Sequence, residues 1–143
     1  MTSVCFVSED KRWQQDQWSW VFSNFCVDEC WQIDDGEVSS AIYQNPTTIL
    51  TAADLPTGRP LVVLSAQDAR YVQGDEPLHD FVHPEDAIYF FGKSFGTISD
   101  DVLGGRVPDH KVYISNHQYE MFAFAAGYVT LYDRFVKRGC NFG

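Results

Sequence analysis

The sequence predicts an α/β domain built on a mainly parallel five-stranded sheet with helices on both faces. Three observations lead there. Short runs rich in β-branched and aromatic residues recur along the chain, and two of them, Leu61-Val-Val-Leu-Ser65 and Ala87-Ile-Tyr-Phe-Phe91, are apolar without alternation. That is the pattern of strands covered on both faces, as in a parallel sheet. Stretches of helical periodicity lie between such runs and after the last of them, and alternation of the two signals is the mark of parallel crossovers.

The elements follow in order. Val4 to Ser8 is a short first strand. From Trp13 to Cys26, Trp18, Val21, Phe22 and Phe25 recur at helical spacing. Cys30 to Ile33 forms a second strand, closed by the turn signal Asp34-Asp35-Gly36, and Gly36 to Pro46 reads as loop. Thr51 to Leu55 is one helical turn, stopped by Pro56-Thr-Gly-Arg-Pro60. Leu61 to Ser65 is the third strand. Pro77 to Val82 reads as a short helix that ends at His83-Pro84, because a residue before proline avoids the helical region. Ala87 to Phe91 is the fourth strand, running into the glycine turn Gly92-Lys-Ser-Phe-Gly96. Lys111 to Ile114 is the fifth, and Gln118 to Arg138 is a long closing helix.

At 143 residues the chain is expected to be one domain with a substantial core. Hydrophobic residues make up 45% and aromatic residues 15%, which excludes a disordered chain. No apolar run approaches the roughly 20 residues that span a bilayer. The opening residues lack a positively charged leader segment, so a cytosolic (cytoplasmic) protein is expected. Cys5, Cys26, Cys30 and Cys140 sit in apolar segments and read as buried free thiols rather than a disulfide framework. Twenty acidic against ten basic residues give a net charge of −10, which works against nonspecific nucleic-acid binding but leaves room for a local basic patch.

Several groups carry possible chemistry. Gly92-Lys93-Ser94 matches the end of a phosphate-binding loop, but position 87 is alanine where that motif needs its first glycine, so no nucleoside-triphosphate site is expected. His79 and His83 are four apart and could share a helix face to hold a metal. No third ligand is signalled, and surface histidines beside a proline are the plainer reading; no metal is expected. His110 and His117 flank the fifth strand and could serve as acid–base groups or as loop residues. Trp13, Trp18, Trp20 and Trp31 read as core or subunit-contact residues rather than a base-stacking platform. The closing helix carries Tyr119, Phe122, Phe124, Ala125, Ala126, Val129, Leu131, Tyr132 and Phe135, apolar almost all round. Burial on more than one side is implied, and with it a homodimer through this C-terminal helix.

Leu61-Val-Val-Leu, His83-Pro-Glu-Asp-Ala-Ile-Tyr-Phe-Phe-Gly-Lys93, Lys111-Val-Tyr-Ile-Ser115 and Ala125-Ala-Gly-Tyr-Val-Thr-Leu-Tyr-Asp-Arg134 together resemble the SPOUT methyltransferases, the trefoil-knotted enzymes that use S-adenosylmethionine, and their ribose-methylating branch in particular. The resemblance spans about residues 60–138. It implies a C-terminal trefoil knot, S-adenosylmethionine as cofactor and RNA as the usual substrate. It also implies a pocket made by three loops: Leu64, Ser65 and Ala66; Phe91, Gly92, Lys93 and Gly96; and Ile114, Ser115 and Asn116 leading into Met121 and Phe122. Small residues and glycine there let backbone groups read the adenine edge between apolar walls.

The chain departs from that branch at three places. The fourth-strand loop has Gly92-Lys93-Ser94 in place of Gly-x-Glu. The last helix begins at Glu120-Met121-Phe122 in place of Ser-Leu-Asn, and the first helix lacks the arginine of Asn-x-Gly…Arg, with only Arg12 just before it. Arg12, Ser94, Glu120 and Arg106 are the residues to test for substrate or acid–base roles. Two functions remain open: a methyltransferase, and a catalytically inactive knotted homodimer that binds the cofactor or a protein partner.

Overall fold

The computed structural model describes residues 1–34, 46–65, 76–93, 98, 100–115 and 121–139. Among them the elements run β1 (Ser3–Val7), α1 (Arg12–Asn24), β2 (Glu29–Ile33), β3 (Thr47–Ile49), a 3-10 turn (Ala52–Asp54), β4 (Leu61–Ser65), β5 (Glu76–Pro77), a second 3-10 turn (Leu78–Asp80), β6 (Ile88–Phe91), α2 (Asp100–Leu103), β7 (His110–Tyr113) and α3 (Ala123–Arg138). The strands form one sheet in the order β3-β2-β1-β6-β4-β7-β5. Every pairing is parallel.

Among the described residues the sheet therefore has seven strands rather than the five expected. The two additions are its edges. A three-residue Thr-Thr-Ile and a two-residue Glu-Pro are too short to show a period of two. Pro77 cannot donate to a ladder, which confines it to an edge. The helix expected over Pro77–Val82 is in consequence only the 3-10 turn Leu78–Asp80.

The apolar strands divide their side chains between two cores. Val4, Phe6, Val62, Leu64, Tyr89, Phe91 and Val112 meet Trp18, Val21 and Phe22 of α1 and Ala123, Ala126 and Leu131 of α3. Cys5, Val7, Leu61, Val63, Ile88 and Phe90 face the other way, onto Ala52, Leu55, Val102 and Leu103. Helical segments thus cover both faces, α1 and α3 one of them, α2 and the 52–54 turn the other. Gly127 permits the close approach of α3, since a Cβ there would lie 2.8 Å from Cζ3 of Trp18.

Helix α1 stops at Asn24, two residues short of the expected end, where Cys26 takes a φ of 50° and the Val27 N–H returns to the Phe22 carbonyl. Helix α3 begins at Ala123, because Phe122 is extended. Cys5, Cys26 and Cys30 are free thiols, but Cys26 is exposed rather than buried. Cys5 and Cys30 point into opposite cores. Burial pushes both thiols up, Cys30 to about 11. Among the described residues, no helix is long and apolar enough to cross a membrane.

Candidate functional site

In an all-parallel sheet every strand delivers its exit loop to the same edge. Phe91 of β6 pairs with Phe6 of β1 on one side and Leu64 of β4 on the other, and Ser65 of β4 pairs with Tyr113 of β7. Neighbouring strands lie about 4.8 Å apart, so the exits of β6, β4 and β7 fall within about 10 Å of one another. Crevices outside the carboxyl ends of strands are the ligand sites of open α/β sheets. The residues brought there are Leu64 and Ser65, Phe91 to Lys93, Ile114 and Ser115, and Met121 and Phe122 at the start of α3.

Their chemistry is mostly apolar with backbone polar groups between. The Phe91 ring is spent on the core, 5.3 Å from Trp18, and Leu64 also faces that core. These two can offer a ligand little beyond their main chain. Gly92, Lys93, Ile114, Met121 and Phe122 are half-buried, and Ser115 is exposed. At Gly92 an added Cβ would come within 2.8 Å of Cγ1 of Ile98, so a side chain there would have to displace Ile98. Ala66, Ser94, Gly96, Asn116 and Glu120 lie outside the described residues, as do His117 and Cys140.

The exit of β1 joins this edge. Asp10 Oδ1 lies 2.7 Å from Lys93 Nζ and ties the β1 and β6 exits together. Beneath it is a buried polar chain: the Glu9 N–H donates to Gln15 Oε1 at 2.9 Å, and Gln15 Nε2 donates to Gln32 Oε1 at 2.9 Å. Trp18 Nε1–H donates to Glu9 Oε1 at 3.4 Å. These bonds fix the β1–α1 turn and with it Arg12, whose Nε lies 3.7 Å from Asp16 Oδ1 on an exposed part of α1. Sequence reasoning missed this chain, although Glu9-Asp10 at a strand exit was a visible signal.

Arg106 does not belong to the site. Its guanidinium donates to the Leu55 carbonyl at 3.0 Å and the Arg59 carbonyl at 3.4 Å, below the start of β4 at the opposite edge. The histidine pair is likewise corrected. His79 is exposed, with Asp80 at 3.6 Å, whereas His83 is buried rather than on the surface, with Nδ1 2.8 Å from the Tyr89 hydroxyl and Nε2 2.7 Å from Asp133 Oδ2. The two share no helix face. His110 Nδ1 sits 2.9 Å from Glu76 Oε2. Of the tryptophans, Trp18 is core, while Trp13 and Trp20 are 48% and 62% exposed.

No protein-family model and no curated protein matches this sequence. Solved structures match its fold. A TrmH/SpoU tRNA-modifying enzyme of A. aeolicus superposes with a TM-score of 0.72 at 10% identity, over 96% of this chain and 75% of that one. AviRb, a SpoU methyltransferase of Streptomyces viridochromogenes determined in complex with AdoMet, gives 0.71 at 13% identity, over 96% of this chain and 60% of that one. A probable methylase family protein of Haemophilus influenzae gives 0.72 at 9% identity over 95% of this chain. The chain spans 65% of that protein's length. The fold is thus shared with solved SpoU and TrmH methyltransferases.

Proposed function

We propose that the chain is an S-adenosylmethionine-dependent methyltransferase acting on RNA. The observation that carries this is the adjacency of the β6, β4 and β7 exits with α3 directly following, in a fold that AviRb uses to hold AdoMet and the A. aeolicus enzyme uses in tRNA modification. The residues present suit the cofactor: Ile114 and Met121 as apolar walls, Gly92 packed closely against Ile98, and main-chain groups at the strand ends. Ala66, Gly96 and Asn116 complete the pocket in this reading. When bound, the cofactor supplies an electrophilic methyl group. The protein's part is to hold the acceptor atom in line with that methyl and take its proton. Arg12 stands at the right edge for the acceptor side; Ser94 and Glu120 are the other residues assigned to it.

Two further features belong to the same proposal. The loops of residues 60–138 form a trefoil knot, and two copies associate through α3. The exposed Val129, Tyr132, Phe135 and Val136 on that helix, with Trp20 on the neighbouring α1, support the second. A second reading, a cofactor-binding dimer that transfers nothing, is favoured by one observation. Arg12 is ion-paired with Asp16, and Arg106 is at the opposite edge, so neither stands as an unengaged arginine over the crevice.

Incubation of total RNA with methyl-labelled S-adenosylmethionine separates the two. The methyltransferase reading expects label in RNA, with alkali-resistant dinucleotides if the acceptor is a ribose hydroxyl. Cofactor binding without label in any RNA supports the silent dimer.

Gly92→Ala tests the pocket directly. The added methyl must displace Ile98, so S-adenosylmethionine affinity should fall about tenfold, equivalent to about 1.4 kcal/mol, by calorimetry. An unchanged affinity would remove the β6 turn from the pocket.

A further inference from the structure

We propose that Trp13, buttressed by Phe122 and Phe124, is a stacking subsite for an unpaired base of the acceptor RNA, an inference that rests on the methyltransferase reading above. Trp13 lies in the first turn of α1, just past the β1 exit, and Phe122 is the residue before α3, just past Met121. The three rings therefore meet at the edge of the sheet where the crevice opens. Phe122 and Phe124 stack at 5.1 Å and 17°. Trp13 stands across them, its centroid 5.3 Å from Phe122 at 72° and 6.0 Å from Phe124 at 73°. The contacts fix the indole, yet Trp13 remains 48% exposed.

Two features argue that this arrangement serves a ligand rather than stability. Position 122 is the N-cap of α3, where Ser, Thr, Asp or Asn would be worth about 1 kcal/mol, and phenylalanine there makes no side-chain cap. The fold thus forgoes a local gain to place an aromatic ring at the mouth. The second feature is charge. Lys11 and Arg12 immediately precede Trp13 and are exposed, Arg12 with Asp16 3.7 Å from its Nε, and Lys93 stands at the same edge against Asp10.

In a chain of net charge −10, cations beside an exposed indole suit a base attached to phosphates. The apolar residues assigned above to a subunit contact lie farther along α3, from Val129 to Val136, and at Trp20, two turns along α1 from Trp13. Stacking needs a free base face, so the subsite selects a single-stranded or looped acceptor over a duplex.

The test is fluorescence anisotropy with a labelled eight-nucleotide single-stranded RNA of mixed sequence, and with the same strand annealed into a duplex. Wild type, Trp13→Ala and Trp13→Phe are compared at low salt, with S-adenosylmethionine calorimetry and sedimentation on each. Trp13→Ala should weaken the single strand about tenfold or more and leave the duplex, cofactor binding and sedimentation unchanged. Trp13→Phe should recover most of the loss. Equal RNA affinity in Trp13→Ala and wild type would overturn the subsite while leaving the methyltransferase standing. A change of oligomeric state in Trp13→Ala would also overturn it, by assigning the ring to a subunit contact. If no variant, wild type included, binds cofactor, the methyltransferase reading is what fails, and the anisotropy series still reports on stacking.

Discussion

Trp18→Ala should cost about 4 kcal/mol of folding stability, the largest loss expected from any single side chain in this domain. The indole is fully buried and lies 4.9 Å from Phe6 at 23°, 5.8 Å from Phe22 and 5.3 Å from Phe91. It is thus the contact between α1 and the two strands, β1 and β6, at the centre of the sheet. Gly127 lets α3 close on its far side. Truncation leaves a cavity bounded on three sides and removes the donor to Glu9, whose carboxylate is itself buried. Urea denaturation of wild type and variant with equal slopes measures the difference. A loss below about 1 kcal/mol would mean that α1 does not pack as described.

The second large effect is at His83. Its side chain has no exposure, and it bridges Tyr89 on β6 to Asp133 on α3. Nε2–H donating to the carboxylate leaves Nδ1 to accept the tyrosine O–H. Asp133 is also 2.9 Å from Lys137 Nζ, which donates to the Leu78 and Phe81 carbonyls, and Arg138 donates to the His83 carbonyl. The cluster is a staple between the C-terminal half of α3 and the chain entering β6. His83→Ala leaves the Tyr89 hydroxyl without this partner in a buried place and should cost about 3 kcal/mol.

Its pH dependence has a definite sign. Burial holds the imidazole below its ordinary range, with Lys137 and Arg134 acting in the same direction and Asp133 opposing them. Above the unfolded histidine value of about 6.5 both states are neutral and the contribution is constant. As pH falls below that value the unfolded chain takes up a proton that the folded one refuses, so stability declines until the folded value is passed. His83→Gln should flatten this decline. A wild-type protein that gained stability on acidification from pH 7 to 5.5 would contradict the assignment.

The residues that carry the sheet were legible because they sit in unalternated apolar runs. β1, β4 and β6 lie within one residue of where those runs place them, since apolar residues without polar interruption suit strands buried on both faces. β7 lies equally close to its expected place, although only Val112 in it is buried. The parallel arrangement followed, and with it the gathering of three exits at one edge. What was hidden is long-range. Nothing near Arg106 in sequence shows that it points away from the crevice. The chain after α2 turns back through Gly104 and Gly105, both at positive φ, and Asp109 is bonded to Leu61 at the start of β4. His83 beside a proline looks like a surface residue until Asp133, fifty positions on, is brought to it. The contact of Trp13 with Phe122 and Phe124 was hidden for the same reason, as those partners belong to the other end of the chain.

Calorimetric titration of the purified protein with S-adenosylmethionine and S-adenosylhomocysteine tests the central claim most directly. The account predicts saturable binding of both, and a stabilisation of about 2.7 kcal/mol when ligand is present at a hundred times its dissociation constant. Absence of heat and of any thermal stabilisation at millimolar concentrations of either ligand would contradict it, and would leave the β6, β4 and β7 exits without the cofactor that this fold holds in AviRb.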